Sequence, residues 1–105
     1  MLEAALEHLT ATIKERRHDS PDASYIAKRF AQGRDKMAQK IGEEGVELAI
    51  AVVKQDSKEI ISESADLLFH MMLALEEASL SLHDVAQELQ RRDGISGLEE
   101  KRARI

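Results

Sequence analysis

Five acidic side chains in two short clusters hold most of the chemistry this sequence can offer. Glu43, Glu44 and Glu47 lie in Lys40-Ile41-Gly42-Glu43-Glu44-Gly45-Val46-Glu47, and Glu63 and Asp66 lie in Glu63-Ser64-Ala65-Asp66-Leu67-Leu68-Phe69-His70. Glu44 and Glu47 are three residues apart, as are Glu63 and Asp66. On a helix that spacing puts both members of a pair on one face. Four carboxylates gathered in a low dielectric repel one another until some take up protons or a cation binds. An all-oxygen ligand set, in a chain without cysteine, selects a hard cation: Mg²⁺, with Mn²⁺ as the alternative.

Whether the pairs meet depends on the elements that carry them. Gln55-Asp56-Ser57 reads as a turn between a helix ending near Lys54 and another starting near Ser57. So short a connection makes the two helices antiparallel neighbours. Glu47 is seven residues before the end of the first and Glu63 six after the start of the second. At a rise of ~1.5 Å per residue both sit about 10 Å from the turn, and Glu44 and Asp66 match one turn further along. Four carboxylates are therefore expected at one level of a helical hairpin. Both helices are otherwise apolar over most of their circumference, with Met37, Ile41, Val46, Leu48, Ile50 and Val53 in one and Ile60, Leu67, Leu68, Phe69, Met72 and Leu73 in the other. Such helices are buried on more than one side, and an acidic stripe inside them is costly unless paired. The ordinary alternative is a solvated face with surface ion pairs. It suits any one of these acids better than it suits all four at matched height.

Around this hairpin the chain reads as helix throughout. Its 105 residues predict one domain, 1–105, with 98–105 expected either to fray or to form a short helix. One Tyr, two Phe and no Trp leave the core to aliphatic residues and Met, as in helix packing. The expected fold class is all-α, a bundle of about four to five helices. Leu2, Leu6, Leu9 and Ile13 form one apolar stripe of a first helix. Pro21 breaks the chain in His18-Asp19-Ser20-Pro21-Asp22, and Ser24 and Gly33 bracket a short second helix. Tyr25 or Ile26, with Phe30, is expected to pack inward. The long helix runs from Arg34 or Asp35 to Lys54. Its Gly42 and Gly45 weaken it and would let a helix or ligand approach the backbone. Asp56 with Glu59, or Ser57, caps the next helix, which runs to about Ala78. Ser81 caps a further helix ending at Arg91-Arg92, with stops at Asp93-Gly94 and Ser96-Gly97.

A net charge of −5 argues against a general nucleic-acid binder. No apolar run approaches the ~18 residues of a membrane-spanning helix. The acidic, amphipathic N-terminus is unlike a signal peptide, so a cytoplasmic protein is expected. Lys28, Arg29, Arg34, Lys36 and Lys40 concentrate positive charge just ahead of the acids. Basic residues on helices are usually just solvated. As a group, however, they suit a phosphorylated ligand whose metal sits on the carboxylates. Lys28, Arg34 and Lys40 are the candidates, with Lys40 best placed one turn before Glu43 and Glu44. His70, one turn beyond Asp66, reads more readily as a satisfied core residue than as a ligand.

Glu43-Glu44-x-x-Glu47 followed by Glu63-x-x-Asp66 resembles the signature of the all-α, MazG-type nucleotide pyrophosphohydrolases. Further strings narrow the resemblance: Ser24-Tyr25, Phe30-Ala31-x-Gly33-Arg34-Asp35-Lys36, Gln39-Lys40-x-Gly42-Glu43-Glu44 and Ala65-Asp66-Leu67-Leu68-x-His70, with Leu80-Ser81-Leu82-x-Asp84-Val85 and Glu88-Leu89-x-Arg91-Arg92 later. Together they are similar to the phosphoribosyl-ATP pyrophosphohydrolase family over residues 2 to 92. Gly45 departs from the commonest pattern, which has a small non-glycine residue there.

The resemblance implies Mg²⁺-dependent hydrolysis of 1-(5-phosphoribosyl)-ATP to 1-(5-phosphoribosyl)-AMP and pyrophosphate, the second step of histidine biosynthesis. It implies a homodimer or higher homo-oligomer, which fits helices too apolar for a monomer of this size to cover. It also gives the acids roles. Glu44, Glu47, Glu63 and Asp66 would hold the metal, and Glu43, one turn before Glu47, would orient or deprotonate a water. Other classes predict differently. A house-cleaning enzyme would use the same residues on another nucleoside triphosphate. A non-catalytic helical oligomerisation module would not respond to Mg²⁺. A di-iron bundle needs Glu-x-x-His on two helices, and only Glu15-x-x-His18, remote from the acids, fits.

Overall fold

A computed structural model describes residues 1–94 and 97–104. Ser96 of the expected stop and the terminal Ile105 lie outside the described residues. Six helices follow one another, and no strand is found among the described residues: α1 (Leu2–Arg16), α2 (Tyr25–Gln32), α3 (Arg34–Lys54), α4 (Ser57–Glu77), α5 (Leu82–Arg92) and α6 (Gly97–Arg104). The tail thus takes the short-helix alternative, raising the helix number to six.

The α3–α4 hairpin dominates the packing. Its turn is built by the residues expected to build it. Gln55 adopts the left-handed conformation at φ 58°, and its N–H closes on the Ala51 and Val52 carbonyls. The next N–H, of Asp56, reaches back to the Ala51 carbonyl, so the last carbonyls of α3 are satisfied as in a Schellman-type ending. Asp56, rather than Ser57, caps α4, its Oδ1 accepting the Glu59 N–H at 3.1 Å. Lys54 pairs with Glu59 across the turn at 3.0 Å.

Helix α2 crosses α3 and α4, and α1 packs on α4 and α2. Ser24 caps α2, its Oγ accepting the Ala27 N–H at 3.2 Å. Gly33 ends α2 at φ 87°, a conformation glycine adopts without steric cost, so α3 starts on the next residue. Ile13, Ile26, Met72 and Leu73 form the core, with Leu6, Leu9, Phe30, Leu68, Phe69 and Leu82 against them. Arg17 ties three helices together. It donates to the Glu76 carbonyl and to Glu77 Oε2, and its guanidinium lies 4.7 Å from the Phe30 ring centroid.

The packing refines three expectations. The α1 stripe packs from Leu6 onward: Leu2 is 73% exposed, Leu6 and Leu9 lie against the core, and Ile13 is 2% exposed. Of Tyr25 and Ile26, only Ile26 is buried, leaving Tyr25 half exposed. Nothing in the chain approaches Gly42 or Gly45, where a Cβ would meet no atom within 4 Å. The apolar excess foreseen on the hairpin is real, with Val46, Ile50, Val52, Val53 and Ile61 all exposed.

Candidate active site

Because the hairpin turn is short and well capped, α3 and α4 hold their acids in register. One carboxylate oxygen from each of Glu44, Glu63 and Asp66 lies within 4.8 Å of the others. Glu44 is buried, Glu63 half-buried and Asp66 exposed. The group therefore has an inner wall and an open mouth. Glu47 adjoins it, its carboxyl being the first influence on that of Glu63. Three of the four expected ligands thus converge tightly, and the fourth borders them.

Their electrostatics are those of an unneutralised acid cluster. The Glu63 carboxyl is held above the usual carboxylate range, first by the hydrogen bond with Glu47, then by burial, then by the charges of Glu47, Asp66 and Glu44. Oε2 of Glu44 and Oε2 of Glu63 are buried without a hydrogen-bond partner. An orphaned buried carboxylate oxygen is expensive, and a cation coordinated there satisfies it. The donor set is all oxygen and anionic, which suits a hard divalent ion. Lys40 supplies some positive charge, its Nζ 3.6 Å from Glu44 Oε1. That leaves Glu44 Oε2 unmatched.

The remaining candidates are spread out. Glu43 is exposed beside the cluster and accepts a hydrogen bond from Gln39 Nε2 at 2.7 Å. Arg34 lies at the far end of the hairpin, its Nε 3.5 Å from Glu77. Lys28 lines an open cleft with Pro21, Asp22, Ala23, Ser24 and Tyr25. His70 is buried, with Nδ1 2.8 Å from the Asp66 carbonyl and Nε2 3.1 Å from the Tyr25 hydroxyl. Both ring nitrogens are used away from the acid cluster. Sequence reasoning missed the Tyr25–His70 contact because the two are 45 positions apart and no periodicity links α2 to α4.

The chain matches the family model described as phosphoribosyl-ATP pyrophosphohydrolase over residues 6–93. Curated relatives named phosphoribosyl-ATP pyrophosphatase agree over nearly their whole length. The Rhizorhabdus wittichii protein is 50% identical over 94% of this chain and 93% of its own. The Zymomonas mobilis protein is 45% identical over 99% of this chain and 97% of its own.

This chain belongs to the phosphoribosyl-ATP pyrophosphohydrolase family.

The family match encloses all five acids and the three basic candidates. Phosphoribosyl-ATP pyrophosphohydrolases are hydrolases, and the acid group across α3 and α4 is, among the described residues, the one that could hold a metal ion. No helix among the described residues is long and apolar enough to cross a membrane.

Proposed function

We propose that the chain hydrolyses 1-(5-phosphoribosyl)-ATP to 1-(5-phosphoribosyl)-AMP and pyrophosphate in histidine biosynthesis, with Glu44, Glu47, Glu63 and Asp66 holding Mg²⁺. The carrying observation is the convergence of Glu44, Glu63 and Asp66 around two orphaned buried oxygens, in a chain of this family. Mn²⁺ suits the same oxygen donors. Bound there, a divalent ion would neutralise charge on the phosphates and acidify water.

The chain's own groups do the rest. Glu43 orients the attacking water and takes its proton as the new P–O bond forms and the α–β anhydride bond breaks. Pyrophosphate leaves with the bonding electron pair. Lys40 is the nearest of the cationic candidates to the acids and takes the phosphate oxygens there. Lys28 and Arg34 would meet more distant phosphates. A cytoplasmic setting suits this chemistry.

A second copy of the chain is the other half of this reading. The exposed apolar residues Val46, Ile50, Val53 and Ile61 lie on the hairpin that bears the acids, and isolated domains rarely leave so much apolar surface in water. A homodimer or higher homo-oligomer would cover it.

The test follows pyrophosphate release from phosphoribosyl-ATP beside ATP and dUTP, with Mg²⁺. Preference for phosphoribosyl-ATP is expected. Equal or faster turnover of ATP or dUTP would favour a house-cleaning enzyme, and no release with any of them would leave a non-catalytic module.

A further inference from the structure

The contact between Tyr25 and His70 joins α2, which carries the Lys28 cleft, to α4, which carries Glu63 and Asp66. An Asp66 carbonyl can only accept, so His70 Nδ1 carries the proton at 2.8 Å. In the neutral ring Nε2 is then an acceptor, and the Tyr25 hydroxyl donates to it at 3.1 Å. His70 is buried and held edge-on to Phe69, with ring centroids 5.3 Å apart. Tyr25 also packs on Phe69, at 5.9 Å. On its other side, the Arg29 guanidinium lies 4.5 Å from the Tyr25 ring centroid. The imidazole thus has one defined place and one defined tautomer.

Each end of this relay leads to a candidate contact for substrate. Asp66 supplies one of the converging carboxylates on α4. Tyr25 is the first residue of α2 and lines the cleft that contains Lys28, one turn further on. The relay therefore sets where the cleft stands relative to the acids. A nucleotide carrying phosphate at both ends offers a group to each place, and it binds well only when their spacing is held.

We propose that Tyr25 and His70 are positioning residues, whose hydrogen bond fixes the Lys28 cleft relative to the metal-binding face so that both ends of an extended, multiply phosphorylated substrate engage together. This rests on the proposed function above and specifies how that site recognises its substrate.

The test compares wild type with Tyr25→Phe, His70→Asn, His70→Gln and the Tyr25→Phe/His70→Asn pair. Phenylalanine removes only the hydroxyl. Asparagine keeps a donor near the Nδ1 position but loses the reach to Tyr25, while glutamine keeps that reach. Tyr25→Phe and His70→Asn should each raise KM for phosphoribosyl-ATP about three- to tenfold, the worth of one neutral hydrogen bond. In both, kcat should stay near wild type, as should binding of Mg²⁺ alone measured by calorimetry. The double variant should be no worse than either single one, and His70→Gln should recover KM toward wild type.

An unchanged KM in Tyr25→Phe and His70→Asn would overturn the proposal, as would a fall in kcat alone accompanied by a lower melting temperature, the mark of a merely structural pair. Wild-type turnover with unaltered variants removes this inference and leaves the proposed function standing. A wild type that releases no pyrophosphate removes both.

Discussion

Glu44 on α3 and Glu63 on α4 face one another across the hairpin, and each buries an Oε2 with no hydrogen-bond partner. Two such oxygens leave the metal-free protein in an unfavourable state, and under the proposed function both would be satisfied by a cation. Glu44→Gln should therefore separate stability from activity. Pyrophosphate release should fall by at least the ~10–100-fold that even supporting groups of a metal site contribute. The metal-free variant should melt higher than metal-free wild type, and the upward shift in Tm on adding Mg²⁺ should shrink or vanish. Scanning fluorimetry with and without Mg²⁺, beside the activity assay, reads all three.

Glu63 makes metal-free stability depend on pH in a defined direction. Its folded-state pKa is raised above the unfolded value, so the folded protein binds this proton more tightly than the unfolded chain does. Stability must then fall as pH rises from the unfolded value through the folded one, and be recovered on acidification through the same window. Urea unfolding in chelator across pH 4 to 8, a span bracketing the ordinary carboxylate value of about 4.3, should show this slope in wild type. The wild-type-minus-Glu63→Gln difference isolates it from other titrations. A flat difference would show that Glu63 is not strained by its neighbours.

Lys40 is the cluster's own counter-charge, one turn before the buried Glu44. Lys40→Met should lower metal-free stability by on the order of 1 kcal/mol, between the worth of an exposed ion pair and that of a buried one. Added Mg²⁺ should narrow the gap, since the ion takes over the charge Lys40 supplied. If Lys40 also meets phosphate, KM should rise in the same variant.

Gly45 lies inside α3 with open space where a Cβ would stand. Gly45→Ala should stabilise the isolated fold by about 0.4–1 kcal/mol through lower unfolded-state entropy and higher helix propensity. A destabilised variant would instead mean that a second copy packs closely over this glycine.

The exposed hairpin residues test association directly. Ile61 is 72% exposed within the chain, so Ile61→Glu should cost little to a monomer. Analytical ultracentrifugation should show an oligomeric wild type, and a variant shifted toward monomer. A monomeric wild type would remove the homo-oligomer from the reading.

The α3–α4 hairpin was legible before any coordinates because its determinants are local. Asp56 and Glu59 sit at the spacing of a cap, Gln55-Asp56 leaves no room for any but an antiparallel return, and residues equidistant from such a turn lie at the same height. That arithmetic put Glu44, Glu47, Glu63 and Asp66 at one level, and three of the four converge. It could not say that Glu44 would be buried, Asp66 exposed and Glu47 at the edge, since rotation of a helix about its axis is set by whatever packs on its other faces.

The same reason separates the rest. Apolar spacing and residue chemistry by themselves determined helices, caps, acid pairs and the excess of apolar surface on α3 and α4. Only tertiary structure decided that Ile26 rather than Tyr25 turns inward and that Tyr25 reaches His70. Those outcomes depend on how α2 crosses the hairpin. The crossing is fixed by long-range side-chain fit around Ile13, Ile26, Met72 and Leu73, which no local pattern along the chain encodes.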